Sequence, residues 1–378
     1  MIKKVVVIGG GYAGVHAAKA CDRRFDVTLV TGRDAFHHTV GGLRASVVKG
    51  YDARLCPSYD NLLRHGRVLT LSAIRINPDV QTVTLSTNEE IPYDILILAT
   101  GSLHSKTVGI AGCKETQDER TGIFEQACTE VAEAASVLVV GGGPVGIEFA
   151  GEVKEQYPDK EVTLVTAKEL MPAPEGTYPE KFRVRLKEKL ESVGVVVHTG
   201  AGRVNFDRAD VDACGFIPGK KVYRWSGGDV EAELCVVAIG SRQTSSLYRD
   251  SGLEHWLDER GMVKVENTFE VKGAAGTAKV FAIGDCADLA NPKLAYVAGM
   301  CGDMIVKNII ASANGNPLLD VAPSVPSMCS VPVGSRGGVT LLPMGVMGNN
   351  TTRIMKAKGL LCGKFWAELS AGKPPIVP

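Results

Sequence analysis

The chain repeats itself, and that repetition constrains its fold more than any other feature. The segment VVVIGGGYAGVHAA beginning at Val5 returns as VLVVGGGPVGIEFA beginning at Val137. VTLVT at 27–31 recurs at 162–166, and LILATGS at 96–102 is echoed by CVVAIGS at 235–241. Three markers in one order, at nearly constant separation, indicate a duplicated domain rather than a few similar turns. In each copy an apolar run (Val5–Ile8; Val137–Val140) enters a glycine turn. A stretch of small residues follows (Ala13–Ala20; Val145–Val153), then a second apolar run (Val27–Val30; Val162–Val165). Continuous apolar strands belong in a parallel sheet covered on both faces. Strand–helix–strand order implies right-handed crossovers and a doubly wound sheet. The expected fold is α/β, with two Rossmann-like dinucleotide-binding domains.

The copies span 1–110 and 111–243. VFAIGDCADLANPKLAYVAGM, from Val280, has strand, turn and helix character but opens no third repeat. It is expected to return to the first domain, which is then discontinuous (1–110 and 244–317) around the inserted second domain (111–243). From Leu318 the texture changes. Short strand-like runs (Val339–Leu342, Arg353–Met355) lie among Gly and Pro. Residues 318–378 are expected to form a small C-terminal α+β domain.

Gly9, Gly11 and Gly14 form GxGxxG directly after a strand and at the start of a helix. The first glycine makes the tight turn, the second lets a pyrophosphate approach, and the third lets helix and strand pack closely. Backbone N–H groups and the helix dipole then face the phosphate charge. Gly141, Gly143 and Gly146 repeat the motif. One such motif is weak; two inside a domain repeat are strong. Both copies lack the acid that usually ends the second strand and binds ribose hydroxyls. Thr31 and Thr166 stand there, and Lys168 follows two residues after Thr166. A hydroxyl binds ribose weakly, and the missing acid removes repulsion against a 2′-phosphate. Both NADH and NADPH are therefore expected as donors, unless Lys168 only faces solvent. Two dinucleotide sites in one chain suggest a flavin beside a nicotinamide. Gly284-Asp285 ends a strand in the third segment, where a carboxylate can accept a hydrogen bond from a ribityl hydroxyl.

Composition removes several alternatives. Forty-two basic and 42 acidic residues give zero formal net charge, against the basic face that a nucleic-acid coat needs. No apolar run is long enough to span a bilayer. Met1-Ile2-Lys3-Lys4 reads as neither a signal peptide nor a myristoylation site. Ten cysteines show no paired spacing, so reduced thiols in a cytosol-like compartment are expected and no metal is. The stretch from 37 to 50 holds no cysteine. A redox disulfide beside the flavin, as dithiol-relaying reductases need, is therefore excluded. No haem or iron–sulfur pattern appears.

GxGxxG with a downstream ATG, then GxGxxGxE, then GD, resembles the two-dinucleotide-binding-domain flavoproteins over the whole chain. These are the pyridine-nucleotide-disulfide-reductase-like folds, here without the disulfide. FHHTVGGLRASVVKG (36–50) and GDCADLANPKLAYVAG (284–299) look very like the apoptosis-inducing-factor-homologous, ferroptosis-suppressor family. A weaker likeness extends to type II NADH dehydrogenases. The resemblance implies non-covalent FAD, NADH or NADPH as co-substrate, and hydride transfer followed by two-electron reduction of a quinone.

It also implies roles for particular residues. Gly9, Gly10, Gly11, Tyr12, Ala13 and Gly14 would hold FAD, with Thr31, His38, Arg44, Val68, Thr100, Gly101, Gly284 and Asp285 around it. Lys293, Ala295 and Tyr296 would approach the isoalloxazine, with Lys293 and a helix start near Tyr296 stabilising the reduced ring. Gly141, Gly143, Gly146, Thr166, Lys168 and Gly240 would shape the nicotinamide site, and Glu148 would face the nicotinamide. Glu148, Lys293 and Tyr296 are the candidate catalytic residues. Two other readings remain: a reductase of a small iron–sulfur protein, and a redox-sensing nucleic-acid-binding protein. The basic, aromatic stretch 353–369 either caps the flavin domain's own core or lines a quinone entrance with weak peripheral membrane contact. Monomer and homodimer stay equally open.

Overall fold

The structure is a computed structural model and describes residues 2–104, 116–174, 176–212, 215–274, 279–320 and 328–377. The expected junction of the two copies, at 110/111, lies outside the described residues, as do Cys113 and Cys214.

The first copy runs β1 (Lys4–Ile8), α1 (Tyr12–Cys21), β2 (Asp26–Val30), α2 (Gly42–Ala45) and β3 (Arg67–Leu69). A meander of β4 (Ala73–Asn77), β5 (Thr82–Leu85) and β6 (Glu90–Pro92) leads to β7 (Ile95–Leu98) and β8 (Ser102–His104). The second copy runs α3 (Gln117–Glu133), β9 (Ser136–Val140), α4 (Pro144–Gln156), β10 (Glu161–Val165), α5 (Glu180–Ser192) and β11 (Val195–His198). The hairpin β12 (Phe216–Trp225) and β13 (Gly228–Val237), then β14 (Ser241–Gln243) and α6 (Ser246–Asp250), follow. After these come β15 (Lys279–Ala282), α7 (Ala295–Ala313), β16 (Cys329–Pro332), β17 (Gly338–Leu342), β18 (Gly345–Met347), α8 (Asn349–Thr352) and α9 (Cys362–Glu368).

β1 and β2 each bury their last four residues, as strands covered on both faces must. Their sheet has the order β15-β7-β1-β2-β3, all parallel, with Ile95 opposite both Val5 and Lys279. Helices α1 and α7 cover one face and the β4–β6 meander the other. α1 and α7 touch almost backbone to backbone. A Cβ on Gly302 would lie 2.5 Å from the Ala13 carbonyl oxygen, so only glycine permits this crossing. The second sheet has the order β11-β10-β9-β13-β12, parallel except for β12. α5 buries Phe182, Leu186 and Leu190 at helical spacing against it, each worth roughly 2 kcal/mol.

β16, β17 and β18 form an antiparallel sheet that packs on α4 and α5. A Cβ on Gly151 of α4 would stand 2.7 Å from the Val333 Cα, so here too a glycine sets the approach. Arg353–Met355, expected as strand, is instead part of a single π-helical turn at Arg353–Ala357 that continues α8. Three residues of alternation are too few to separate strand from helix.

Candidate functional site

β1 carries the chain into its glycine turn at Gly9, whose φ of +115° favours glycine. A Cβ there would lie 2.2 Å from the Ala99 carbonyl oxygen, and one on Gly14 would lie 1.8 Å from the Gly9 carbonyl oxygen. The fold's own packing therefore demands both glycines. Gly11 differs. Its φ of −83° and ψ of −169° suit any residue, and a Cβ would meet nothing within 4 Å. Internal packing gives no reason for glycine here; the open space in front of it does. The second copy repeats the pattern. Gly141 (φ +129°) would clash with the Ala238 carbonyl oxygen at 2.2 Å and Gly146 with the Gly141 carbonyl oxygen at 2.0 Å, while Gly143 faces open space. Each turn opens a helix start, α1 or α4, with no side-chain cap. Uncapped N–H groups beside a cleared backbone fit a pyrophosphate. The residues present thus fit a dinucleotide in both copies.

Thr31 and Thr166 sit beneath these turns, 5% and 4% exposed. A Cβ on Gly10 would lie 2.7 Å from Thr31 Oγ1, and one on Gly142 2.7 Å from Thr166 Oγ1. Both hydroxyls pack against the turn's own backbone. Lys168 is exposed, and its carbonyl accepts from Gly200 N–H at 3.0 Å. Gly240, just past β13, has φ +108° and open space where a Cβ would stand.

The ends of β1, β7 and β15 are neighbours, which places their following turns side by side, as ligands of open α/β sheets require. Gly284 has φ +74°, and a Cβ on it would come 2.9 Å from the Ala13 methyl, so the 284–286 turn abuts the start of α1. Asp285 accepts from Ser102 Oγ at 2.9 Å. Thr100 Oγ1 lies 2.8 Å from Tyr248 Oη, and Gly101 adopts φ +68° with open space beside it. Lys293 donates to the Ala287 carbonyl at 2.6 Å. α7 starts uncapped at Ala295, and Tyr296 is half-buried, its hydroxyl donating to the Met328 carbonyl at 3.4 Å. Val68 lies on β3, the outer strand of its sheet.

Arg44 and Glu148 lie within a buried charge system that sequence reasoning did not foresee. Arg44 Nε and Nη2 donate to the two carboxylate oxygens of Glu152 at 2.8 Å each, and Nη2 also donates to the Ala357 carbonyl at 2.8 Å. Glu148, one turn earlier on α4, accepts from Lys356 Nζ at 2.6 Å. Burial pushes both carboxyls up; Lys356 pulls Glu148 back down, and Arg44 does so for Glu152.

His37 and His38 are both buried. His38 Nδ1 lies 2.9 Å from Tyr12 Oη and its Nε2 2.6 Å from the Leu360 carbonyl oxygen. Burial lowers its titration to about 4. Phe365 of α9 closes this group, its ring centroid 4.9 Å from Tyr12 and 4.6 Å from His38.

Sequence reasoning missed Tyr59, whose hydroxyl donates to the Gly10 carbonyl at 2.7 Å and steadies the first turn. It also missed Ser102, Tyr248, Glu152 and Lys356. Glu152 alone left a sequence signal, as a second acid four residues after Glu148 among small and apolar neighbours. Among the described residues no cluster is placed to hold a metal ion, and no helix is long and apolar enough to cross a membrane.

The family model described as pyridine nucleotide-disulphide oxidoreductase matches residues 3–302. Ferroptosis suppressor protein 1 of Xenopus tropicalis is 32% identical, over 98% of this chain and 97% of that protein. Apoptosis-inducing factor homolog B of Dictyostelium discoideum is 29% identical, over 99% and 98%. Among solved structures, the sulfide:quinone oxidoreductase from Aquifex aeolicus superposes with a TM-score of 0.74 at 17% identity, covering 99% of this chain and 93% of that one. NDH2 from Plasmodium falciparum in complex with NADH superposes with a TM-score of 0.69 at 17% identity, covering 98% of each chain.

Proposed function

The chain belongs to the pyridine nucleotide-disulphide oxidoreductase family and, within it, to the group of ferroptosis suppressor protein 1, and we propose that it is an FAD-dependent NAD(P)H:quinone oxidoreductase. The observation that carries this reading is the matched pair of cradles. In each, two glycines are wedged against backbone while Gly11 or Gly143 faces open space. A cradle for two phosphates favours FAD over FMN. The first copy takes the flavin, because the Gly284-Asp285 turn stands beside its cradle, and the second takes the nicotinamide dinucleotide. The names of two structural neighbours, one a quinone oxidoreductase and one holding NADH, support a quinone acceptor and a nicotinamide donor.

When bound, a flavin supplies hydride acceptance from a dihydronicotinamide and two-electron delivery to a quinone. This chain's residues do the rest. Amides of the turns at 9–14 and 141–146 hold the negative phosphates. Asp285, oriented by Ser102, accepts from a polyol hydroxyl. The uncapped start of α7 and Lys293 lend positive potential to the ring's polar edge. Glu148 orients the donor's amide and ribose. No cysteine lies within 37–50, so the acceptor receives electrons without a dithiol relay.

Ile354 (85% exposed) and Met344 (79%) lie with exposed Arg353, Lys358 and Lys364 on the C-terminal segment. That combination supports weak contact with an anionic membrane surface near the acceptor's entrance. Leu360, Phe365 and Leu369 are buried against the first copy and belong to its packing. Acid precipitation followed by chromatography tests the cofactor, and bleaching of the visible flavin band by NADH, reversed by a quinone, tests the reaction. FMN in the supernatant, or a reduced flavin that quinone does not reoxidise, would refute it. Co-sedimentation with anionic liposomes tests the membrane contact.

A further inference from the structure

α1, α7 and α9 meet at His16. The glycines that let α7 approach α1 also shape this site. A Cβ on Gly299 would lie 3.1 Å from His16 Nε2, and one on Gly302 2.7 Å from His16 Cβ. Two carboxylates face the ring from two different helices. Asp303 Oδ1 of α7 lies 3.1 Å from Nδ1, and Glu368 Oε2 of α9 lies 3.5 Å from Nε2. The imidazole is 23% exposed and Glu368 27% exposed, so the α9 contact is partly shielded.

A neutral imidazole carries one N–H, and ionised carboxylates only accept. With a carboxylate opposite each nitrogen, only the doubly protonated ring satisfies both. We infer that His16 is a doubly paired imidazolium that latches α9 onto α1 and α7, and that the latch opens as pH rises. The inference stands apart from the proposed chemistry, since it concerns how the C-terminal helix is held.

The surrounding charges support it. The hydrogen bond to Asp303 is the largest influence on the ring and raises its titration; burial opposes, and Glu368 adds to the rise. Two lysines bear on the same place through Glu368. Lys19, on α1, donates to the Glu368 backbone carbonyl, and Lys364 Nζ lies 3.5 Å from Glu368 Oε1. A group whose folded titration is raised stabilises fully below its unfolded value of about 6.5 and loses that contribution as pH climbs through the folded value. The latch is therefore shut below about 6.5 and loosens as pH climbs through the raised folded value.

What it holds gives it consequence. α9 brings Phe365 against Tyr12 and His38 at the wall of the first cradle. The chain enters α9 through Leu360 and Leu361, both at positive φ (46° and 62°), a backbone conformation that strains a leucine. A helix entered through strain and tied by a titratable ring is suited to opening locally.

The test is hydrogen exchange of the peptide spanning 361–371 in the full-length protein as purified, from pH 6 to pH 9, with intrinsic rates divided out. Protection in the wild type is expected to fall as pH rises through this range. His16→Gln is expected to show low protection that does not vary with pH. Asp303→Asn, on an exposed side chain, is expected to move the wild-type midpoint to lower pH. Imidazole resonances give the His16 midpoint independently, expected above 6.5. Flat wild-type protection, the same pH dependence in His16→Gln, or a His16 midpoint at or below 6.5 would each overturn the inference. Should His16→Gln not fold, an unmoved midpoint in Asp303→Asn overturns it alone.

Discussion

His38 Nε2 lies 2.6 Å from the carbonyl oxygen of Leu360, and the contact fixes which proton the ring keeps. A carbonyl only accepts, so Nε2 carries the hydrogen and Nδ1 accepts from Tyr12 Oη at 2.9 Å. The ring is neutral, its titration lowered by burial to about 4. A lowered folded value means that stability is complete above the unfolded value of about 6.5 and is lost as pH falls toward 4. The loss is on the order of 3 kcal/mol. Urea unfolding at pH 7 and at pH 4.5 measures it, and His38→Gln is expected to show a correspondingly smaller acid loss. An unchanged acid loss in the variant would show that other groups carry it.

Glycines in the same turn are expected to fail in opposite ways. Gly11→Val should cost the flavin-free protein no more than about 1 kcal/mol, the loss of glycine at the α1 N-cap, while abolishing flavin retention, because its Cβ enters the open cradle. Gly14→Ala should destabilise the protein by roughly 1–3 kcal/mol, because its Cβ meets the Gly9 carbonyl. Thermal unfolding of flavin-free protein, beside the flavin absorbance of protein as purified, separates the two. A Gly11→Val protein that stays yellow would remove the phosphate from the cradle.

The buried pair of Arg44 and Glu152 predicts a non-additive pattern. Glu152→Leu alone should cost about 3–5 kcal/mol, because it leaves a buried guanidinium unmatched. The double change Arg44→Met with Glu152→Leu should cost clearly less than the sum of the singles. Denaturant unfolding of all four proteins provides the cycle, and simple additivity would contradict the geometry.

Glu148→Gln is expected to slow nicotinamide-driven flavin reduction at least tenfold while the flavin stays bound, as stopped-flow absorbance would show. Removing its partner gives a second signature. Lys356→Met leaves the carboxyl buried without its cation, so its titration should rise further, and the acid limb of the reduction rate should move to higher pH. Wild-type reduction in Glu148→Gln would leave Glu148 as an anchor for the C-terminal segment only.

NADH and NADPH are expected to serve within about tenfold of each other in kcat/KM, under about 1.4 kcal/mol of discrimination. Thr166 offers no carboxylate to repel a 2′-phosphate, and Lys168 is exposed two residues on. Steady-state rates with both donors settle the matter, and a hundredfold preference either way would contradict it.

The parts of the protein that repeat were legible in the sequence, because repetition reports local structure. Val5–Ile8 and Val137–Val140 read as buried strands, and the spacing of Gly9, Gly11 and Gly14 named its own geometry. What escaped was contact between distant segments. Lys356 meets Glu148 across 208 positions and Arg44 meets Glu152 across 108, and no local pattern encodes such partners. The β4–β6 meander and the β12–β13 hairpin escaped for a different reason. Their half-exposed strands, such as Phe216–Trp225, lack the continuous apolar run that marked the others.

The pairing of β15 with β7 also sets a timetable. Ile95 leaves the ribosome long before Lys279, its sheet partner. At about 5–20 residues per second the wait is roughly ten to forty seconds. Throughout that interval Ile95–Leu98 presents an unpaired edge, while β9, β10, β11 and β13 can already assemble behind it. The nascent chain therefore exposes its first half at a sheet edge rich in Ile and Leu, the kind of surface that holding chaperones bind. Slowing translation downstream of residue 98 should lengthen that exposure and raise the share of newly made protein that aggregates.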